Sequence, residues 1–125
     1  MPYGMPGVES RLPVIFSEFV VKRGMTVERF VELTATAPAR LNGLAPRKGQ
    51  LAAGADADIL VWDAGKEQTI ELANTHMGLD YDPFDGLAVT GWPEVVIVNG
   101  KVAVRSGSFT DPGPIGPRLQ AHPIF

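Results

Sequence analysis

The chain has 125 residues, with 14 Asp and Glu against 11 Lys and Arg and no cysteine. That length suits one domain with a modest core. The mild acidity excludes a basic patch for nucleic acid, and the missing thiol excludes a disulfide framework or a thiolate metal site. No apolar run approaches the roughly 20 residues of a membrane span, and no basic flank with an apolar core marks a signal peptide. The expectation is a soluble, cytoplasmic protein. Its 14 Gly and 11 Pro gather towards the two ends, in segments that lie across other surfaces more readily than they build a core.

Residues 1–7 read as a Gly/Pro loop. From Val8 the apolar positions Leu12, Ile15, Phe16, Phe19 and Val20 recur at helical spacing. Ser10 is placed to cap that helix, Pro13 is tolerated near its start, and Gly24 offers the left-handed residue that stops it. Thr26 reads as the next cap, with Val27, Phe30, Val31 and Thr34 along one face, and residues 38–41 as a separate short helix closed by Asn42-Gly43. Three such short helices cannot all bury their apolar faces against one another. Part of that surface is expected to pack on material outside the chain.

After Lys48-Gly49 the pattern turns to strands: a short one at residues 50–52, a turn at 54–56, a strand at 58–62 and a weaker candidate at 69–72. An irregular stretch, 73–86, carries His76, Asp80, Asp82 and Asp85, and residues 87–90 are a further short strand. Residues 95–98 and 101–104 flank Asn99-Gly100, a pair that supplies the positive φ angles of a type I′ turn. A Pro/Gly tail follows Phe109. The order is helices first, then a small antiparallel sheet.

The residues that metal-assisted hydrolysis needs are sparse. The two histidines, His76 and His122, have no His-x-His or Glu-x-x-His spacing. His76 reads as structural and His122 as solvent-exposed. No nucleophile elbow and no phosphate-binding Gly-Lys-Ser/Thr ending is present. Asp56 and Asp58 read as turn residues, the first bonding to backbone amides and the second bounding the strand. Asp80, Asp82 and Asp85 lack the spacing of a calcium loop, and read as a solvated loop packed by Tyr81 and Phe84.

Five pieces in order carry a family resemblance. They are Met5-Pro6-Gly7-Val8-Glu9-Ser10-Arg11-Leu12-Pro13, Pro38-Ala39-Arg40-Leu41-Asn42-Gly43-Leu44, Lys48-Gly49, Gly54-x-Asp56-Ala57-Asp58, and His76-Met77-x-x-Asp80-Tyr81-x-Pro83-Phe84-x-Gly86. Together they resemble the C-terminal end of cyclic amidohydrolases, and the last piece is most similar to the dihydropyrimidinase and hydantoinase branch. The resemblance implies an α+β segment. Residues 1–47 would be the last loop and helices of a TIM-type (β/α)8 barrel, 48–109 the C-terminal strands of a small flanking β-sandwich domain, and 110–125 an extended tail.

It further implies a parent enzyme in which a divalent metal pair, zinc by family likeness, activates water against a cyclic amide. The missing N-terminal barrel would hold that pair, so no catalytic or metal-binding residue is expected in this chain. The parent would be a homotetramer or homodimer. The loop at residues 1–7 corresponds to one beside the substrate ring. Where hydantoinases carry an asparagine on the ring amide, this sequence has Tyr3 followed by Gly4, which are therefore the candidate substrate-binding residues. The alternative from a different class is a stand-alone, non-enzymatic assembly or binding module derived from such a tail. It would fold alone as a monomer.

Overall fold

The computed structural model describes residues 4–114 and 119–121. Tyr3 and His122 lie outside the described residues. Three α-helical segments come first: α1 (Arg11–Ile15), α2 (Val27–Val31) and α3 (Ala37–Leu41). A π-helical turn, Phe16–Val21, prolongs α1, and a second, Glu32–Thr36, joins α2 to α3 without a break. Four strands follow, β1 (Ile59–Thr69), β2 (Ala88–Val98), β3 (Lys101–Arg105) and β4 (Ser108–Phe109), with a 3-10 turn at Leu72–Asn74 between β1 and β2. They form one sheet in the order β1-β2-β3-β4. The class is α+β, as expected. Among the described residues no helix is long and apolar enough to cross a membrane.

The chain divides into two compact units. One takes residues 1–25 and 63–92, and the other residues 26–62 and 93–125. In the first, Pro13, Phe16, Ile70 and Val89 are the buried apolar residues. Beyond the ends of β1 and β2 the ladder is kept by Ile70 N–H donating to Leu87 O at 2.9 Å and Gly86 N–H donating to Ile70 O at 2.8 Å. Gly24 takes φ +70, the left-handed conformation expected of a helix stop, and Met25 N–H reaches back to Phe19 O at 2.8 Å.

In the second unit the buried apolar residues are Phe30, Ala39 and Ala103. The ring of Phe30 stands 6.0 Å from that of Trp62, tilted at 51°. Thr26 caps α2 as expected, its hydroxyl accepting Arg29 N–H at 3.2 Å. The β2–β3 hairpin also matches expectation: Asn99 at φ 49 and Gly100 at φ 78 form the two-residue turn, and Val98 faces Lys101. The register slips by one residue between Val96 and Ile97, whose partners are Val104 and Val102, so Ala103 is the extra residue of a β-bulge.

Several element boundaries differ from the sequence reading. Residues 38–41 are not a separate helix. A proline inside a regular helix clashes with the carbonyl four residues back, and the π turn just before Pro38 widens the ladder there, so the helix runs on. The strands expected at 58–62 and 69–72 are replaced by the single β1, ending at Thr69, and those at 87–90 and 95–98 by β2, which accommodates Pro93 next to a kink where Gly91 takes φ +99. Residues 50–52 form no strand.

Gly49 meets the π turn at close quarters. At φ +80 its missing side chain leaves room for Ala35 O and Ala39 Cβ, which an added Cβ would approach to 2.8 and 2.5 Å. Its carbonyl accepts the Thr36 hydroxyl at 2.9 Å. Because backbone and a short side chain are the obstacles, no rotamer change relieves the clash. Gly49→Ala is expected to destabilise the fold by about 2–3 kcal/mol, read as a lower denaturant midpoint at an unchanged slope. A midpoint equal to wild type would show that the loop moves aside freely.

Candidate functional site

Among the described residues, polar side chains draw together within each unit. In the first unit, residues 4–10 are fastened to the irregular stretch before β2. Ser10 is buried at the start of α1 and does not cap it. Its hydroxyl donates to Asp82 Oδ2 at 2.7 Å, and Asp82, only 6% exposed, accepts Phe84 N–H on Oδ1 at 2.9 Å. The capping role expected of Ser10 is thus corrected. The acidic stretch, expected as a solvated loop packed by Tyr81 and Phe84, departs from that expectation at Asp82, which lies inside. A buried carboxylate is tolerated where donors satisfy it, and Ser10 supplies one of them. Asp85 stays exposed and accepts Leu72 N–H at 2.8 Å.

Beside this pair, Glu9 receives two donors from one residue. Its Oε2 accepts the backbone N–H of His76 at 2.7 Å, and its Oε1 lies 2.8 Å from the ring Nδ1. The structural role expected of His76 has a definite form here. The Tyr81 hydroxyl donates to the carbonyl of exposed Gly4 at 3.3 Å. Gly7, at φ +129, lets the backbone lie against Phe84, whose ring would stand 3.2 Å from an added Cβ. A cleft bordered by Glu9, Ser10, Glu71, Asn74 and Trp92 has room for about one water molecule, so it cannot enclose a ring substrate.

In the second unit the Gly54-x-Asp56-Ala57-Asp58 turn is a charged knot. Arg47 Nε donates to both oxygens of Asp56 at 3.0 and 2.9 Å, and the Lys48 ammonium pairs with Asp56 at 2.9 Å and also with Asp58. Asp58 Oδ1 accepts Asn99 N–H at 2.7 Å, and Gly100 N–H donates to Ala57 O at 2.9 Å. The motif therefore holds the β2–β3 turn. Asp58 directly precedes β1, as expected of a residue bounding the strand, whereas Asp56, expected to bond backbone amides, binds the side-chain cations of Arg47 and Lys48 instead.

Hydrogen bonds from Lys48 and then Arg47 hold the Asp56 carboxyl below the usual carboxylate range. Burial pushes the Asp58 carboxyl up, but Lys48 and the Asn99 amide outweigh it and leave it lowered. Burial likewise pulls the Lys48 ammonium down, and its bonds to Asp58 and Asp56 overcome that and raise it. Among the described residues no three His, Asp or Glu side chains gather as metal ligands. In the sequence Asp56, Asp58 and His76 stood out one by one, whereas Glu9 and Lys48 figured only within the family-like pieces. The Glu9–His76 separation of 67 residues leaves no local signal.

The model of the amidohydrolase family matches residues 9–103. The chain belongs to the amidohydrolase family. Among relatives, a D-hydantoinase of Geobacillus stearothermophilus is 42% identical over 109 residues, which cover 87% of this chain and 23% of that protein. A D-phenylhydantoinase of Escherichia coli is 39% identical over 123 residues, covering 98% of this chain and 27% of the relative. A solved D-hydantoinase (dihydropyrimidinase) from Thermus sp. superposes with a TM-score of 0.84 at 41% identity, covering 88% of this chain and 24% of that one. This amidohydrolase chain thus spans about a quarter of the length of the relatives it matches. The branch resemblance read from its motifs agrees with them.

Two outcomes follow from the site geometry. In a double-mutant cycle, Ser10→Ala and Asp82→Asn should each lower unfolding stability by about 1–3 kcal/mol, with a coupling of about 1 kcal/mol. Strict additivity would mean that the two side chains do not support each other. The carboxylates with lowered folded values contribute stability above the unfolded value of 3.8, lost as pH falls through the folded values. The raised Lys48 contributes below 10.5, and its contribution is lost as pH rises past its folded value. Lys48→Met should therefore melt lower at neutral pH and lose less stability than wild type between about pH 4 and 2. Parallel melting curves for the two proteins would contradict this.

Proposed function

We propose that this chain is the C-terminal part of a hydrolase that opens cyclic amides of the dihydropyrimidine or hydantoin type. The observation that carries the reading is the D-hydantoinase match, 42% identical across 87% of this chain and only 23% of the relative. In this reading residues 1–47 supply a closing loop and helices to a (β/α)8 barrel, 48–109 complete a flanking β-sandwich domain, and 110–125 reach a neighbouring subunit of a homotetramer or homodimer. The enzyme works in the cytoplasm. Large apolar residues exposed on the chain, among them Val8, Leu41 and Leu51, are consistent with surface that the rest of the parent covers.

The part played by the chain's own residues is to wall and orient. The loop ending at Gly7 stands beside the ring, with Tyr3 and the backbone of Gly4 as its substrate contacts. Gly4 O is held by Tyr81, and Ser10 with Asp82 anchors the loop's far end. Tyr3 in place of the asparagine of hydantoinases offers one hydroxyl where an amide offers a paired donor and acceptor, so ring preference shifts with it. The divalent pair, zinc in this reading, takes its ligands from the rest of the parent.

The test is to express the complete reading frame and to assay dihydrouracil and 5-substituted hydantoins. Ring opening that a chelator abolishes is expected from the complete protein, and none from the 125-residue chain alone. Metal-dependent turnover by that chain alone would sink the proposal. A sharp, cooperative melt of the chain as an isolated monomer would favour the assembly-module reading instead.

A further inference from the structure

The segment 4–10 is held by little besides polar bonds. Met5 is 74% and Val8 81% exposed, so neither side chain packs it down. Its ties include Gly4 O to the Tyr81 hydroxyl, Gly7 against the Phe84 ring, Gly7 O to the Arg11 amide, Glu9 to His76 and Ser10 to Asp82. Of these the Glu9–His76 contact differs in kind. One bond leaves a partner free to swivel, whereas two bonds from one residue to one carboxylate fix both distance and orientation.

A carboxylate only accepts, which assigns the proton to Nδ1 of the ring. The side chains of both partners remain about a third to a half exposed, at 32% and 46%, so the contact acts through its geometry more than through charge. Ser10–Asp82 lies at the start of α1, and buried Pro13 and Phe16, with Ser17 accepting Thr90 N–H at 3.1 Å, also hold that helical stretch, so its place does not depend on Glu9. What Glu9 and His76 add is control of the residues before it.

We propose that His76 is a positioning residue whose twofold donation to Glu9 latches residues 4–10 in one place, and so sets where the Gly4 backbone stands beside the ring. The second half of this rests on the functional reading above; the latch itself does not. It acts at a distance from any reacting atom. Its loss loosens ring binding and leaves the chemical step intact.

Two measurements on the protein of the complete reading frame decide it. Hydrogen exchange of the Arg11 amide, which donates to Gly7 O, and of the amide at position 76, which donates to Glu9 Oε2, should quicken about tenfold in His76→Ala. It should return close to the wild-type rate in His76→Asn, whose side-chain N–H takes the place of Nδ1–H. In the same variants KM for the ring amide should rise about tenfold in His76→Ala with kcat within about twofold, and His76→Asn should recover most of that. Unchanged exchange in His76→Ala, or His76→Asn behaving like His76→Ala in exchange, would overturn the latch. Faster exchange with unaltered KM would overturn its role in ring binding. A wild-type protein that opens no ring refutes the functional reading, and the exchange data still judge the latch.

Discussion

Asp58 holds the backbone N–H of Asn99 on one carboxylate oxygen and the Lys48 ammonium on the other, and the long loop between α3 and β1 takes its shape from that double contact. Residues 47–58 form neither helix nor strand, and Leu51 within them is 78% exposed. Hydrophobic burial is therefore not what orders this stretch. Ions and backbone bonds do so: Asp56 N–H donates to Arg47 O, and Gly100 N–H to Ala57 O. Lys48 bridges two carboxylates that would otherwise repel each other two residues apart, which is why its ammonium is held in the charged form against the cost of burial.

The other unit solves a similar problem differently. There the irregular stretch before β2 is tied by a neutral donor to a buried carboxylate, Ser10 to Asp82, with the Phe84 amide completing the acceptor's needs. Such a bond has a modest net value, but breaking it is expensive, because Asp82 cannot reach water. The exposed ion pairs around Lys48 can exchange with solvent and salt. So the segment 4–10 is pinned firmly at Ser10 and progressively more lightly towards Gly4. That gradient suits a segment whose outer end contacts a substrate in the proposed enzyme.

One region of helix shows how local irregularity follows from packing. The π turn at Glu32–Thr36 both admits Pro38 and presents backbone to Gly49, so one extra residue in the helix serves two neighbours. Thr36, whose hydroxyl reaches Gly49 O, and Thr34, whose hydroxyl bonds back to Phe30 O at 2.8 Å, satisfy side-chain groups without leaving the helix.

The α+β order, the Thr26 cap, the Gly24 stop, the Asn99-Gly100 hairpin and the family resemblance were all legible in the chain. The cap, the stop and the hairpin depend on residues within a few positions of one another, where turn geometry and side-chain period act directly, while the resemblance rests on five short pieces taken in order. Where the sequence reading separated elements, at Pro38 and along β1 and β2, the structure continued them, because a widened turn and a glycine kink supplied what local rules forbid. Tertiary structure alone decided that Ser10 leaves its cap for Asp82, that Glu9 meets His76, and that Lys48 joins Asp56 and Asp58 below the hairpin. Polar partners that lie tens of residues apart are chosen by which surfaces the fold brings together, and no spacing in the chain encodes that meeting.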